Sequence, residues 1–211
     1  WTSGGIPSNQ RNSGSAMSTT THQVLQLLSS GKYLSGEAIG RQLGVSRMAV
    51  SKAVKRLGAC DVPISSTSGK GYRLQREFQL LDGQRINELL IRHGRSEFRP
   101  IILEVVPSTS DYLLEQEQDS GAPLSACLTE MQQQGRGRRE RSWLATPYRN
   151  ITMSMGWQFD NGMADLAGLG VATGISVVQV LHNFGFDTEI GLKWPNDIVW
   201  QDRKLGGLLI D

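Results

Sequence analysis

The chain has 211 residues, of which 38% are hydrophobic and 20% are charged, as is ordinary for a folded globular protein of one large or two small domains. No apolar run approaches the roughly 18–20 residues of a membrane-spanning helix, so we expect no membrane association. The net charge of +2 hides an asymmetry, because residues 21–76 carry nine Lys/Arg against two Asp/Glu, whereas residues 77–211 carry twelve against eighteen. We therefore expect only the first segment to meet nucleic acid.

Residues 1–16 are polar and rich in Ser, Gly and Asn, without the apolar segment of a signal peptide. They are expected to be a disordered leader, or translated sequence ahead of a start at Met17. Cys60 and Cys127 form neither a CxxC pair nor a disulfide framework, which is typical of the cytoplasm. The three histidines lie far apart and show no metal-ligand spacing, so no protein-built metal site is expected.

The basic segment predicts three helices. Apolar spacing indicates the first over Thr21–Leu28, and Ser35 is a good N-cap for a second that runs to Leu43. A short turn containing Gly44 then leads to a third helix over Arg47–Leu57, capped by Ser46. This arrangement predicts a helix-turn-helix whose last helix enters the major groove of DNA. The residues predicted to contact DNA from that helix are Arg47, Ser51, Lys52, Lys55 and Arg56.

A hairpin is predicted after these helices. Val62–Ser66 and Tyr72–Leu74 read as short strands, and the glycines between them permit a tight turn that places Lys70 within reach of phosphate. Residues 17–76 are therefore predicted to form a winged helix-turn-helix. The alternative is a small helical domain with a merely solvated basic face.

Residues 77–83 are expected to form a linker, and Asp82 is expected to cap a helix that ends near His93. After it, apolar runs and helical spacing alternate, which indicates an α+β or mixed α/β layer fold over residues 84–211. The predicted strands are Pro100–Val106, Ala126–Met131, Asn150–Trp157, Glu189–Leu192, Ile198–Trp200 and Leu205–Ile210, and the predicted helices begin at Ser108 and Leu166.

Between two of these strands lies a segment that we call the arginine loop, residues 135–143, with the sequence Gly-Arg-Gly-Arg-Arg-Glu-Arg-Ser-Trp. Glycine lets backbone N–H groups approach an anion, and arginine gives bidentate contacts to carboxylate and phosphate. Such a loop suits an anionic ligand whose charge changes during a reaction. Composition alone equally fits a basic loop that binds RNA or is disordered.

A second motif, Lys193-Trp194-Pro195-Asn196-Asp197, is followed by Arg203-Lys204-Leu205-Gly206-Gly207. Asn-Asp after proline is also ordinary turn chemistry, and Lys204 beside a turn would equally suit a surface lysine.

In this order, the arginine loop and the Lys-Trp-Pro-Asn-Asp segment followed by Arg-Lys-Leu-x-Gly resemble the biotin–protein ligase family. With the helix-turn-helix in front, the resemblance is to the bifunctional type that is also the biotin operon repressor. It implies a class II synthetase-like catalytic domain that uses ATP and Mg²⁺ to form biotinyl-5'-AMP from biotin. The biotinyl group then passes to a lysine of the biotin carboxyl carrier protein of acetyl-CoA carboxylase. Biotinyl-5'-AMP also acts as corepressor, and the liganded homodimer binds the biotin operator.

Residue roles follow from the match to the family's motifs. The residues that would hold biotin or the oxygens of its adenylate are Ser108, Thr109, Ser110, Gln132, Arg136, Gly137, Arg138, Lys204 and Gly207. Those that would serve ATP are Arg141, Trp143, Lys193 and Asn196. The catalytic roles would fall to Lys204, Arg138 and Asp197.

The sequence departs from the family pattern at Glu140, where the arginine loop usually has glycine, and at Ser110, where asparagine is common. Family members also continue well beyond the position that matches Asp211, completing the sheet and adding a β-barrel domain that we expect to be missing here. Two alternatives remain: a DNA-binding regulator that senses biotin without ligating it, and a lipoate-type ligase, which the arginine loop disfavours.

Overall fold

A computed structural model describes residues 19–76, 79–120, 124–157, 159, 166, 168–186 and 189–211, so the predicted leader lies outside the described residues. The chain divides into two compact units, Trp1–Leu80 and Leu81–Asp211. Within the described ranges, no helix is both long enough and apolar enough to cross a membrane.

The first unit contains three helices and a hairpin in the predicted order, which confirms the winged helix-turn-helix architecture. The helices are α1 (Thr19–Leu28), α2 (Gly36–Leu43) and α3 (Arg47–Ala59), and the antiparallel strands are β1 (Ile64–Thr67) and β2 (Gly71–Leu74).

Local chemistry sets the helix boundaries in this unit. The Ser35 hydroxyl accepts a hydrogen bond from the Ala38 amide at 3.0 Å, and Ser46 caps α3 in the same way through Ala49 at 3.2 Å. Gly44 ends α2 in the left-handed conformation. The three helices pack around a common core, and its fully buried aliphatic residues are Val24, Leu25, Leu28, Ile39, Val50 and Leu57.

The second unit begins with α4 (Gly83–Arg92), which Asp82 caps as predicted, and continues through a three-stranded sheet. Strand β3 (Arg99–Val106) runs parallel to the central strand β4 (Leu124–Gln132), which pairs antiparallel with β5 (Thr152–Trp157). Helix α5 (Thr109–Ser120) packs on β4 and β5.

The rest of this unit is helix α6 (Leu169–Asn183) and a second sheet. Its antiparallel strands are β6 (Ile190–Lys193), β7 (Asp197–Trp200) and β8 (Arg203–Gly207).

The prediction of a core strand over Leu205–Ile210 is wrong in its extent. Strand β8 ends at Gly207, and Leu205 and Ile210 are 54% and 43% exposed. The reason is that Gly207 pairs with Asp197, the first residue of β7, so the ladder has no partner beyond it. The chain turns instead toward Asn196, whose carbonyl accepts a hydrogen bond from the Leu208 amide at 2.9 Å.

Strand β5 confirms the predicted alternation but corrects its orientation. The apolar residues Met153, Met155 and Trp157 are about half exposed, whereas the intervening Thr152 and Ser154 are less exposed. Helix α5 packs on β5, and Ser154 contacts Thr109 at the start of that helix, so the polar face of the strand is the covered one.

Candidate active site

A cluster of hydroxyl groups forms where α5 begins. Ser108 is the N-cap, and its hydroxyl accepts a hydrogen bond from the Asp111 amide at 3.2 Å and lies 3.1 Å from the Ser110 hydroxyl. Thr109 bonds to Gln132, the last residue of β4, through both its amide (2.8 Å) and its hydroxyl (3.0 Å). The fold thus brings Gln132 beside Ser108, Thr109 and Ser110, although Gln132 follows Thr109 by 23 residues in sequence. All four are among the residues predicted to bind biotin.

Ser154 is a fifth member of this cluster that the sequence reasoning missed. Its hydroxyl oxygen lies 2.7 Å from that of Thr109. The alternation of β5 contained the signal, because Ser154 lies on the polar face of that strand. We call Ser108, Thr109, Ser110, Gln132 and Ser154 the hydroxyl cluster.

The arginine loop closes on itself. The Trp143 amide donates to the Gly135 carbonyl, and the Gly137 amide donates to the Arg141 carbonyl, both at 2.7 Å. Gly135 is buried, and a Cβ there would lie 2.6 Å from Gln132 Nε2 and 2.7 Å from the Trp143 carbonyl oxygen. Only glycine therefore lets the end of β4 and the end of the loop approach so closely.

Arg136 pairs with a carboxylate that was not among the predicted site residues. Its guanidinium Nη2 contacts Asp111 in the first turn of α5, and Asp211 lies 3.9 Å from the same nitrogen. Both side chains of the Arg136–Asp111 pair are nearly half exposed, so the pair adds little to stability. Its effect is to hold the arginine beside the hydroxyl cluster.

Lys204 joins the second motif to the arginine loop. Its Nζ lies 2.7 Å from Asp197 Oδ1 and 4.9 Å from the centre of the Trp143 ring. A Cβ at Gly207 would lie 3.3 Å from both Lys204 Nζ and the Trp143 ring, so glycine leaves room where these groups meet. The lysine, the carboxylate and the indole thus form one face of the site.

Arg138 and Asn196 provide a second contact between the two motifs. Arg138 Nη1 donates to Asn196 Oδ1 at 3.4 Å, and the Asn196 amide nitrogen donates to the Leu208 carbonyl. Both residues line a cavity of about 340 Å³, a volume at the lower end of those that hold small-molecule ligands. The rest of its lining is Gly168, Gly170, Val171, Trp194, Pro195, Leu208, Leu209 and Ile210.

Two residues predicted to serve ATP are not drawn into these contacts. Arg141 and Lys193 are exposed, and their side chains make no hydrogen bond or ion pair within the described part of the chain. Glu140 adopts a left-handed backbone conformation with φ 57°, which glycine adopts without strain.

Mg²⁺ finds few protein ligands in this site. The described residues contain no group of three or more His, Cys, Asp or Glu side chains placed to hold a metal ion, and Asp197 is paired with Lys204. Mg²⁺ commonly binds through substrate phosphates and one or two carboxylates. The donor set therefore fits an ion that arrives with a nucleotide.

A buried carboxyl pair lies outside this site. Glu104 and Glu130 lie on the adjacent strands β3 and β4, between the register pairs Leu103–Thr129 and Val105–Met131. Burial raises the pKa of both side chains, that of Glu104 to about 7. The Tyr148 hydroxyl donates to Glu104 at 3.5 Å, and Glu130 accepts from the Leu81 amide.

In the first unit, the basic residues predicted to contact DNA lie on α3 and on the turn of the hairpin. Arg47, Lys52, Lys55 and Lys70 are exposed, whereas Ser51 and Arg56 are half-buried. The exposed Tyr33 ring lies 6.0 Å from Lys70 Nζ and 5.1 Å from the Arg73 guanidinium, which orders the side chains around the wing.

Comparison with known proteins divides the chain in the same way. Residues 20–73 match the family described as HTH domain, and residues 102–211 match the Biotin/lipoate A/B protein ligase family.

Curated relatives extend the similarity across both units. The chain is 39% identical over 190 residues to the bifunctional ligase/repressor BirA of Salmonella typhimurium, covering 89% of this chain and 57% of that protein. It is 39% identical over 195 residues to the protein of that name from Escherichia coli, covering 92% and 58%. The chain thus spans less than three fifths of the length of these relatives. Among solved structures, biotin protein ligase from Leishmania major in complex with biotin aligns with a TM-score of 0.47 and 26% identity, over 52% of this chain and 50% of that one.

Proposed function

The chain belongs to the Biotin/lipoate A/B protein ligase family, with a helix-turn-helix domain in front, and we propose that it joins biotin to a carrier-protein lysine and represses transcription. In this proposal, residues 84–211 activate biotin with ATP to biotinyl-5'-AMP and pass the biotinyl group to the biotin carboxyl carrier protein. Residues 17–76 bind the biotin operator.

One observation carries the ligase proposal: the arginine loop and the second motif meet in space. Lys204 lies against Trp143, and Arg138 contacts Asn196, although the latter pair is 58 residues apart in sequence. Arg138 and Asn196 line the cavity, and Lys204 lies at the other contact between the same two motifs. An anionic ligand with an apolar body and a nucleotide end suits such a site.

The first chemical step is displacement at phosphorus. A biotin carboxylate oxygen forms a bond to the α-phosphorus of ATP, the bond to the bridging oxygen breaks, and pyrophosphate leaves. Arg136, Gly137 and Arg138 hold the carboxylate and then the phosphate of the mixed anhydride, and the two guanidinium groups supply the charge. Lys204 stabilises the charge that develops on the phosphoryl oxygens. Mg²⁺ bound to the phosphates would supply additional charge neutralisation there.

The second step is acyl transfer. The neutral carrier lysine amine attacks the biotinyl carbonyl carbon, the bond from that carbon to the phosphate oxygen breaks, AMP leaves, and a proton of the amine is released to solvent. Asp197 is the carboxylate nearest to Lys204 and is assigned to orient the incoming amine. No enzyme nucleophile is required, so catalysis rests on positioning and electrostatics.

For the first unit, the resemblance to bifunctional ligases supports a repressor role, and so does the exposed row of cations on α3. We propose that biotinyl-5'-AMP is the corepressor and that the liganded chain binds the operator as a homodimer. Sedimentation of the chain with and without biotin plus ATP tests the dimer, which is expected only with both ligands.

Biotin-dependent exchange of labelled pyrophosphate into ATP tests the ligase proposal directly. The wild-type chain is expected to exchange, and Lys204→Gln is expected to reduce the rate by about 10²–10³-fold. Arg203→Gln, the matched control on the neighbouring exposed cation of β8, is expected to retain it. Biotin binding without exchange would contradict ligation, and exchange with lipoate in place of biotin would move the chain to lipoate-type ligases.

Glu140 favours a second candidate function, biotin sensing without ligation. Glu140 places a carboxylate inside the loop that is expected to retain the adenylate, and its backbone adopts the left-handed conformation that glycine favours. The exchange assay separates the two functions, because a sensor would bind biotin calorimetrically yet leave the label in pyrophosphate.

A further inference from the structure

Hydrogen bonds in the hydroxyl cluster have a determined direction. The Thr109 backbone N–H lies 2.8 Å from the Gln132 side chain, and a backbone N–H can only donate. The atom that it meets must therefore be the amide oxygen, Oε1. This contact fixes which way the Gln132 carboxamide faces.

The same oxygen sets the direction of the next bond. Thr109 Oγ1 lies 3.0 Å from Gln132 Oε1, which can only accept, so the single hydroxyl proton of Thr109 points to it. The Ser154 oxygen lies 2.7 Å from Thr109 Oγ1, and Thr109 has no second proton to give. Ser154 is therefore the donor, and the chain of bonds runs from Ser154 to Thr109 to Gln132.

The direction of these bonds decides what Gln132 offers to a ligand. With Oε1 held by Thr109, Nε2 lies on the other side, close to Gly135 at the start of the arginine loop. Thr109 is 3% exposed, so an unmade bond at its hydroxyl would be costly. Bonds in series also polarise one another, which strengthens the last donor.

We propose that Ser154 is a positioning residue for the ligand's polar head group. It acts through Thr109 to keep the Gln132 carboxamide in the orientation that presents its N–H groups toward the arginine loop. This assignment rests on the proposed function, in which the head group is the ureido ring of biotin. The only strong acceptor of that ring is its carbonyl oxygen, which a carboxamide N–H donor matches.

Biotin affinity measured calorimetrically on the full chain tests this assignment. Ser154→Ala is expected to weaken biotin binding by about three- to tenfold. The pyrophosphate-exchange KM for ATP and the kcat at saturating biotin are expected to stay unchanged. Ser176→Ala is the matched control, because its hydroxyl bonds to the Ala172 carbonyl at 2.9 Å within α6. That control is expected to bind biotin as the wild type does.

A double-mutant cycle with Thr109→Val separates positioning through Thr109 from an independent structural effect. If Ser154 acts through the Thr109 hydroxyl, Ser154→Ala adds no further loss in the Thr109→Val background. Full additivity of the two losses, or an unchanged affinity in Ser154→Ala alone, would overturn the assignment while biotin binding by the wild type still stands. A wild-type chain that binds no biotin overturns the proposed function and this assignment together.

Discussion

The two units differ in how they bury their apolar side chains. In the described part of the first unit, six aliphatic residues of three short helices are fully buried, and the exposed large hydrophobic residues are Tyr33 and Met48. In the described part of the second unit, sixteen large hydrophobic side chains are exposed, including Met153, Met155 and Trp157 on one face of β5. Full burial of one such side chain contributes about 1.5–3 kcal/mol, so the first unit draws more of its stability from its own core.

The contrast extends to charge and chemistry. The first unit combines a closed core with an exposed basic face, as a self-contained DNA-binding module requires. The second has an acidic excess and leaves apolar and charged side chains accessible around its site. Substitutions of the same kind should therefore have different consequences in the two units.

The largest expected difference is in core truncation. Leu57→Ala in α3 is expected to lower the free energy of unfolding of the first unit by about 2–5 kcal/mol, because the side chain is fully buried. Met155→Ala in β5, which is 50% exposed, is expected to change stability by less than about 1 kcal/mol. Urea unfolding followed by circular dichroism and by tryptophan fluorescence measures both, since four of the five tryptophans follow residue 140. Equal losses would remove the contrast between the units.

The buried carboxyl pair of the second unit is expected to make the free energy of unfolding depend on pH. Burial is the main reason that the pKa of Glu104 is raised to about 7; the Tyr148 hydrogen bond lowers this pKa and the neighbouring Glu130 raises it, both by less than burial does. In the unfolded chain the group titrates near 4.5, so the folded state holds the proton more tightly. Its contribution to stability is present below pH 4.5 and is lost as the pH rises through about 7.

Glu104→Gln should therefore stabilise the chain by roughly 1–2 kcal/mol at pH 8 and leave it unchanged at pH 4. Chemical unfolding at the two pH values measures this difference. Glu115→Gln, at an exposed position of α5, is the matched control and should show no such difference. A Glu104→Gln variant that is destabilised at pH 8 would mean that the charged form is the one the fold requires.

DNA binding is expected to depend on the first unit alone. Lys52→Glu on the exposed face of α3 should weaken binding to a short duplex by at least about tenfold at moderate salt and flatten the dependence on salt concentration. Lys32→Glu changes the net charge equally at an exposed position outside α3 and the wing. Fluorescence anisotropy distinguishes the two variants, and equal losses would mean that net charge, rather than groove docking by α3, governs binding.

The smallest expected effect lies in the arginine loop. Glu140→Gly removes the strain, about 1 kcal/mol, of a non-glycine residue held in the left-handed conformation. Adenylate dissociation should therefore slow by about two- to fivefold. Glu140→Ala removes the carboxylate but keeps Cβ, and thereby separates charge from backbone. Chase of labelled biotinyl-5'-AMP measures both variants. If Glu140→Ala slows adenylate release as much as Glu140→Gly does, the effect is due to the charge of the carboxylate.

Local features were predictable because they depend on neighbouring residues. The caps at Ser35, Ser46 and Asp82 and the order of helices and strands follow from side-chain chemistry within a few positions. Contacts such as Thr109 with Ser154 span 45 residues and arise only once the sheet is assembled. The covered face of β5 was likewise beyond prediction, since alternation gives two faces but not the layer that packs on either.

The closeness permitted by Gly135 has a thermodynamic consequence. Because Gln132 Nε2 and the Trp143 carbonyl both lie within 3 Å of where a Cβ would be, the hydroxyl cluster and the arginine loop share a single wall. A ligand that orders one side of this wall also orders the other. The binding free energies of a ligand's head group and of its anionic end should therefore not add. When the two halves are measured separately, the sum of their binding free energies should be less favourable than the binding free energy of the intact ligand.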